Sequence, residues 1–499
     1  MQSRSITLRQ DSNVFIVSNR GPIEYILQSD GTWNYQRGVG GMVTALINMG
    51  TLLKATWVAL AISPGDYQAV ATLQGDGWLL PSAAQMKEIR LRYVTIPPEA
   101  FQKHYGVMSN RALWFLQHYL FQVLQPPIDD SQMRDAWTQG YVVANQALAS
   151  AVIDEISRST KRSVVMIHDY FLCLIPSMLR TQQPGVLLFH FLHCPWPEVR
   201  YWNHLPSYIC QGIFSGLLAN DILGFQTMLD AQNFLFGVPI VLHDAQVDLA
   251  RMTATYQGHT TQIRAYPIGS LPEQDRHDAG EIASFPELAP LHSARQRQQH
   301  VIMRVDRLDP SKQIVLGFAA YEQLLENYPK LREQVIFLAL FVPAREALAE
   351  YRRYREEVQA AIDRINRRYA TATWLPVTAI YGNNRTRALT AMQDYDVLLI
   401  NAVADGMNLV VKEGIAVNKR DGVVVLSRTT GAYQQLQDAV LPIAPYSIEE
   451  TADALYTALT MPPVDKKRLH DAGLHVVDNS TLQHWLEQQL ADILQYSQS

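Results

Sequence analysis

The sequence predicts an α/β protein built as two doubly wound domains, and three observations carry that expectation. Apolar, β-branched runs alternate with stretches of helical spacing along most of the chain, the pattern of a parallel sheet covered on both faces. At 499 residues the chain is too long for one ordinary core. Between Pro267-Ile268-Gly269 and about Gln299 the alternation loosens, with Pro272, Pro286 and Pro290 breaking it, and a second alternating series then begins.

Residues 14–18, Val-Phe-Ile-Val-Ser, read as a buried strand, followed after a loop by an apolar helix from Gly41 to about Lys54. Residues 56–62 and 91–96 read as further strands. Residues 141–157 have helical spacing, and the β-branched run at 163–167 makes the next strand. Strands at 186–192 and 222–225 continue the series, each followed by an amphipathic stretch. The second series opens with a strand at 300–304, a helix at 311–327, a strand at 335–341 and a long helix at 345–369. A strand at 396–400, the helix after Gly406 and a strand at 422–427 follow. Near the end, Leu482, Trp485, Leu486, Leu490 and Ile493 fall at helical spacing, so this helix should pack back on the first domain. The expected division is 1–270, 271–480 and a terminal helix at 481–499. The long helix carries Glu346, Glu350, Arg353, Arg355 and Glu356; opposite charges three or four apart read as a solvated face, without chemistry.

Composition narrows the function classes. The chain is 48% hydrophobic with a formal net charge of -5, which excludes the strong positive field of a nucleic-acid binder. No apolar run approaches the ~18 residues of a membrane span, and Met1-Gln2-Ser3-Arg4-Ser5 lacks a signal-peptide core. Cys173, Cys194 and Cys210 have no metal-ligand spacing; sparse and odd in number, they fit reduced thiols in a cytoplasm.

The chemistry concentrates at expected strand ends. Val403-Ala404-Asp405-Gly406-Met407-Asn408-Leu409-Val410-Val411-Lys412-Glu413 follows one strand and opens a helix. Ligands of open α/β sheets bind there, and the first free N–H groups of a helix favour anionic oxygens. Asp405 could accept sugar hydroxyls, and Glu413, two turns on, could reach a ribose; a capped helix start is the plain alternative. Arg304-Val305-Asp306-Arg307-Leu308-Asp309-Pro310-Ser311-Lys312 follows the first strand of the second domain. Arg307, forked, and Lys312, a mobile point charge, could hold both phosphates of a nucleoside diphosphate, where surface ion pairing is the plain alternative. Arg37-Gly38-Val39-Gly40-Gly41-Met42 would let backbone N–H groups approach phosphate, but it is not a dinucleotide fingerprint and a tight turn accounts for it equally. Phe191-Leu192-His193-Cys194-Pro195-Trp196-Pro197 and His168-Asp169-Tyr170 close neighbouring strands, and together they are better candidates than a lone histidine.

In this order the motifs resemble the trehalose-6-phosphate synthase family, retaining glycosyltransferases. The resemblance rests on Ser18-Asn19-Arg20, Gly40-Gly41, Tyr105 through Ser109-Asn110 to Trp114, His168-Asp169-Tyr170 and Phe191-Leu192-His193. It continues through Pro267-Ile268-Gly269, Arg307-Leu308-Asp309 with Ser311-Lys312, Val342-Pro343-Ala344-Arg345, and Asp405-Gly406-Met407-Asn408-Leu409-Val410 with Lys412-Glu413. It covers almost the whole chain. The resemblance implies two Rossmann-like domains facing across a cleft (GT-B type), trehalose biosynthesis and a role in osmoprotection. A sugar nucleotide would bind mainly the second domain and a sugar phosphate the first.

Carried over by position, Arg307 and Lys312 would hold the donor diphosphate near the Gly41 amide, and Glu413 the ribose. Asp405 and His193 would position the glucose with backbone N–H groups of Met407, Asn408 and Leu409. Arg20, Tyr105, Trp114 and Arg345 would grip the acceptor phosphate, and Asp169 an acceptor hydroxyl. The expected reaction moves glucose from UDP-glucose (or GDP- or ADP-glucose) to glucose 6-phosphate. Cations stabilise the departing diphosphate, and the resemblance implies front-face attack with retention and no covalent intermediate. With no Asp-x-Asp motif and the charge already supplied, catalysis should need neither metal nor cofactor. Expected partners are therefore small-molecule substrates, with no nucleic acid and no membrane; homo-oligomerisation stays open. With the sequence ending soon after its last expected helix, no appended phosphatase domain is expected.

Several positions depart from the family pattern. Position 171 is Phe where a histidine is common, Cys194 and Trp196 flank Pro195 where isoleucine and phenylalanine are usual, and Gln313 follows Lys312 where glycine is common. The run Trp57-Val58-Ala59-Leu60-Ala61 replaces a stretch that often carries a second tryptophan. These changes spare the donor-phosphate grip and bear on the acceptor and the nucleotide base. Two other readings stand beside the first: another phosphorylated acceptor such as glycerol 3-phosphate or a pseudo-sugar phosphate, and a non-enzymatic sugar-phosphate sensor. The sensor predicts losses among Arg307, Lys312, Asp405 and Glu413, and all four are present.

Overall fold

The computed structural model describes residues 2–31, 33–38, 41–72 and 88–498. The chain divides into two compact units, Met1–Tyr266 with Trp485–Ser499, and Pro267–His484. Among the described residues no helix is long and apolar enough to cross a membrane.

The strands of the first unit are β1 (Ser12–Arg20), β2 (Ile23–Leu27), β3 (Trp33–Arg37), β4 (Thr56–Leu60), β5 (Arg90–Val94), β6 (Arg162–His168), β7 (Leu187–Phe191), β8 (Ile222–Phe225), β9 (Gln246–Asp248), β10 (Thr253–Tyr256) and β11 (His259–Ala265). The main sheet runs β5-β4-β1-β6-β7-β8-β11-β10-β9. Its first six members have the doubly wound order, with the winding reversing between β1 and β6. Central strands such as β4 and β7 are buried at every residue, which is why each reads as a mostly apolar run.

The expectation of an all-parallel sheet needs correction at one edge. β10 runs antiparallel to both β9 and β11. Gln257 and Gly258, both at positive φ (49° and 81°), join β10 to β11 as a two-residue turn that matches strand twist. The loop expected between the first strand and the Gly41 helix holds a hairpin of β2 and β3, fastened where Asp66 Oδ1 accepts the Tyr25 N–H at 2.9 Å.

The second unit contains β12 (His300–Arg307), β13 (Val335–Val342), β14 (Val377–Tyr381), β15 (Val397–Ile400), β16 (Val423–Ser427) and β17 (Leu441–Ile443). They form a fully parallel sheet in the order β14-β13-β12-β15-β16-β17, so the winding reverses between β12 and β15. The segment after Tyr266, where the sequence pattern loosens, holds two short helices, Pro272–Asp278 and Ala289–Gln296. The last helix, Leu482–Gln498, puts the fully buried Trp485 edge-on against Phe191 at 5.2 Å within the first unit.

Candidate active site

The switch point of the second unit gathers most of the predicted donor residues. β12 ends at Arg307, and one turn of 3₁₀ helix, Pro310–Lys312, follows. Asp309 caps that turn by accepting the Ser311 N–H at 3.0 Å. Its other oxygen lies 3.2 Å from an Arg345 guanidinium nitrogen, accepts the Tyr351 hydroxyl at 3.2 Å, and stands 3.7 Å from Arg307. Arg307 thus leans outward, half exposed, while Arg345 is anchored.

Beyond β15 the chain turns back toward the same place. The Val403 N–H donates to the Ser311 carbonyl at 2.8 Å, tying the two loops together. Lys312 Nζ donates to Asp405 Oδ2, which also accepts from Asn408 Nδ2 at 3.0 Å. Asn408, at φ 70°, caps the helix Leu409–Val417 by accepting the Val411 N–H. Met407 is fixed by its carbonyl, which accepts the Ala432 N–H at 2.9 Å. Glu413, one face further along that helix, accepts from Arg385 Nη2 at 3.1 Å, and burial raises its carboxyl to about 7.

The first unit holds the other predicted group around its own switch point. Arg20 ends β1, half exposed, 3.8 Å from Glu24. Its carbonyl accepts Ser18 Oγ at 2.7 Å, and Trp57 Nε1 donates to that hydroxyl at 2.8 Å. Asp169 follows β6 at positive φ (74°), where its carboxylate accepts the His193 N–H at 3.2 Å. Burial raises Asp169 to about 6 and lowers His193 to about 3, so at neutral pH the acid is ionised and the imidazole neutral. His193 Nε2 lies 3.4 Å from His168 Nδ1.

Tyr105 and Trp114 stand on one continuous helical stretch whose middle, Gln102–Leu113, is π-wound. Phe171 stacks on Tyr105 with ring centres 6.0 Å apart and on Tyr170 at 4.2 Å, and Tyr170 leans on Trp114 at 6.1 Å. One run of rings therefore links these two of the predicted acceptor residues. Gly41 opens the helix Gly41–Leu53, while Val39 and Gly40 of its motif lie outside the described residues.

Residues 12–495 match the family model described as Glycosyltransferase family 20. The chain belongs to glycosyltransferase family 20. Its two Rossmann-like units are those of the GT-B class. This family 20 chain is 28% identical over 475 residues to the UDP-forming alpha,alpha-trehalose-phosphate synthase A of Dictyostelium discoideum, covering 95% of this chain and 61% of that protein, so it spans about three fifths of that relative. Among solved structures it is similar to an E. coli protein of the trehalose-6-phosphate class bound with UDP-2-fluoro glucose, at 26% identity and a TM-score of 0.82, covering 97% of this chain and 99% of that one. It is similar also to the Burkholderia xenovorans UDP-forming alpha,alpha-trehalose-phosphate synthase in complex with glucose-6-phosphate, at 26% identity and TM-score 0.81, covering 97% and 100%.

The departures of this family 20 chain fall into different places. Trp196 is core: 1% exposed, it packs on Trp202 at 4.5 Å and on Phe214 and Phe234 at 5.3 Å. Trp57 is fully buried behind Ser18. Gln313 adopts φ 50°, ψ 41°, the left-handed region that glycine occupies without strain. Phe171 stacks directly on the predicted acceptor residue Tyr105, and Cys194 hydrogen-bonds another, Asp169. Among the residues of the second unit that escaped the sequence reading, two organise the site directly. Asp309, quoted only as part of a motif, is the hub for Arg307, Arg345 and Tyr351; its place before Pro-Ser at a strand-to-helix turn was the available signal. Arg385, which donates to both Asp275 (2.5 Å) and Glu413, lies 28 residues before the latter and had no local signal.

Proposed function

We propose that this chain transfers glucose from UDP-glucose to glucose 6-phosphate with retention of configuration, releasing UDP and forming α,α-trehalose 6-phosphate. The observation that carries the reading is the cradle at the β12–β15 switch point, where Lys312, Asp405 and Asn408 are bonded together beside an outward-leaning Arg307. Its similarity to a protein bound with UDP-2-fluoro glucose and to one in complex with glucose-6-phosphate supports both substrates.

Each side chain has a task suited to its state. Arg307 and Lys312 take the growing negative charge on the departing diphosphate, the place where fixed cations lower a barrier most. Asp405, already oriented by Asn408, accepts glucose hydroxyls, and Glu413 takes the ribose. His193, neutral through burial, hydrogen-bonds the glucose without adding charge beside a cationic sugar. Arg20, Tyr105, Trp114 and Arg345 bind the acceptor phosphate, Asp169 an acceptor hydroxyl, and the Gly41 amide approaches the diphosphate. The attacking hydroxyl passes its proton to the leaving phosphate oxygen on the same face, so no covalent intermediate forms. Because two cations neutralise the leaving group, the reaction runs without metal. The three cysteines, all buried and none in a disulfide, suit a reducing cytoplasm.

The decisive assay crosses UDP-, GDP- and ADP-glucose with glucose 6-phosphate and glycerol 3-phosphate, with and without EDTA. Turnover of UDP-glucose with glucose 6-phosphate, undiminished by EDTA, is expected. Turnover confined to glycerol 3-phosphate would replace the acceptor, and loss in EDTA would remove the metal-free mechanism.

A further inference from the structure

Lys312 sits in a turn that its own sequence does not favour. Gln313 is left-handed, a conformation disfavoured for a residue with a Cβ. What braces the turn is Arg304, a buried side chain with no solvent exposure. Its Nε donates to Asp306 Oδ2 at 2.8 Å, and its Nη2 donates to the Lys312 carbonyl and to Asn401 Oδ1, each at 2.7 Å. Asn401 Nδ2 in turn donates to the Gln313 carbonyl at 3.0 Å. Two consecutive carbonyls are thus fixed by one guanidinium, directly and through one amide.

Space is reserved for that group. A Cβ on Gly317, in the helix that follows the turn, would stand 2.4 Å from Arg304 Nη1 and 3.1 Å from Asn401 Oδ1. The charge of Arg304 is matched by Asp306 in the same buried site, so the pair supplies geometry and adds no net charge. A lysine could make only one of these contacts well, because the forked plane reaches a carboxylate and a carbonyl at once.

We infer that Arg304 is a positioning residue for nucleoside diphosphate binding: it holds the turn through Gln313 so that the Lys312 ammonium stays beside Asp405. This rests on the proposed diphosphate role of Lys312. Arg304 itself, fully buried, touches no substrate. Its effect reaches the ligand through the backbone of Lys312 and Gln313.

The test is calorimetric titration of UDP into the full chain and its variants, with a thermal scan of each. Lys312→Ala should weaken UDP binding at least tenfold, and Arg304→Met about tenfold. Adding Gln313→Gly to Arg304→Met should recover most of the affinity, since glycine takes φ 50° without bracing, while the thermal midpoint stays low. A residue that merely filled the core would show no such rescue. Wild-type UDP affinity in Arg304→Met, or a loss that Gln313→Gly does not restore, would overturn the inference. Should Arg304→Met fail to give a single unfolding transition, Asn401→Ala, which cuts the amide link from Arg304 to Gln313 and leaves the direct bond from Arg304 to the Lys312 carbonyl, is read in its place by the same criteria. Unchanged affinity in Lys312→Ala would instead remove the diphosphate reading, and this inference with it.

Discussion

Replacing Arg307 by alanine separates catalysis from folding. The side chain is 46% exposed and its ion pair with Asp309 spans 3.7 Å. Asp309 keeps Arg345 at 3.2 Å, the Tyr351 hydroxyl at 3.2 Å and the Ser311 N–H at 3.0 Å, so no buried charge is left bare. Half-exposed pairs of this length contribute about 0–1 kcal/mol. In the second unit, Pro267–His484, that is a fall of no more than about 2–4 °C in the thermal midpoint. Turnover should respond far more. Removing one preorganised donor aimed at charge that develops in the transition state costs on the order of 10²–10³ in kcat, about 3–4 kcal/mol. UDP release under saturating substrates and differential scanning calorimetry measure the two sides independently. Rates within threefold of wild type would refute the phosphate-stabilising role, and a midpoint depressed by more than about 10 °C would show the residue to be structural.

Three further outcomes follow from the same geometry. Asp169, raised to about 6 by burial, should set an acid limb near pH 6 in kcat/KM that Asp169→Asn abolishes; a limb unchanged in that variant would assign it elsewhere. Because its folded value lies above the unfolded one, its stabilising contribution is full below about pH 4 and lost as pH rises through 6, so acid that lowers activity favours the fold at this residue. Trp196→Ala should lower stability by about 3–5 kcal/mol yet leave the preference between glucose 6-phosphate and glycerol 3-phosphate unaltered, since the ring is 1% exposed in the core; a preference shifted more than threefold would contradict this. A double-mutant cycle on Lys312→Met and Asp405→Asn, read by UDP affinity, should show coupling of about 1 kcal/mol or more, and strictly additive losses would deny that the observed pair acts as a unit.

The strands legible in the sequence are those buried on both faces. β4, β7, β13 and β16 present mostly apolar runs because helices cover both sides of the parallel sheets. The hairpin of β2 and β3 and the antiparallel edge of β9 and β10 were not legible, because they are short, mostly half-buried or exposed, and rich in polar residues. A Gln-Gly turn also lacks the asparagine or aspartate that usually announces a two-residue hairpin. The site shows the same division. Motifs at strand ends stood out because strand, turn and helix start are contiguous, as from Arg304 to Lys312. Arg385 and Asn401 did not, because each acts on a partner that only the folded chain brings near.

The contact between Lys312 and Asp405, 93 residues apart, has a consequence for how the cradle meets its ligand. The ammonium and the carboxylate neutralise each other, and Asn408 holds the carboxylate from a second side. A diphosphate carries more charge than one carboxylate and can draw the ammonium toward itself, with Arg307 approaching from the same turn. On the proposed reading Asp405 would then accept sugar hydroxyls while still bonded to Asn408, so it would not stand as a bare charge. Donor phosphate and donor sugar would therefore be recognised together. A free nucleoside diphosphate would gain only the first half of that exchange, and a free hexose only the second. That coupling predicts that UDP-glucose binds more tightly than the separate contributions of UDP and glucose would suggest, and that Asp405→Asn erases the difference.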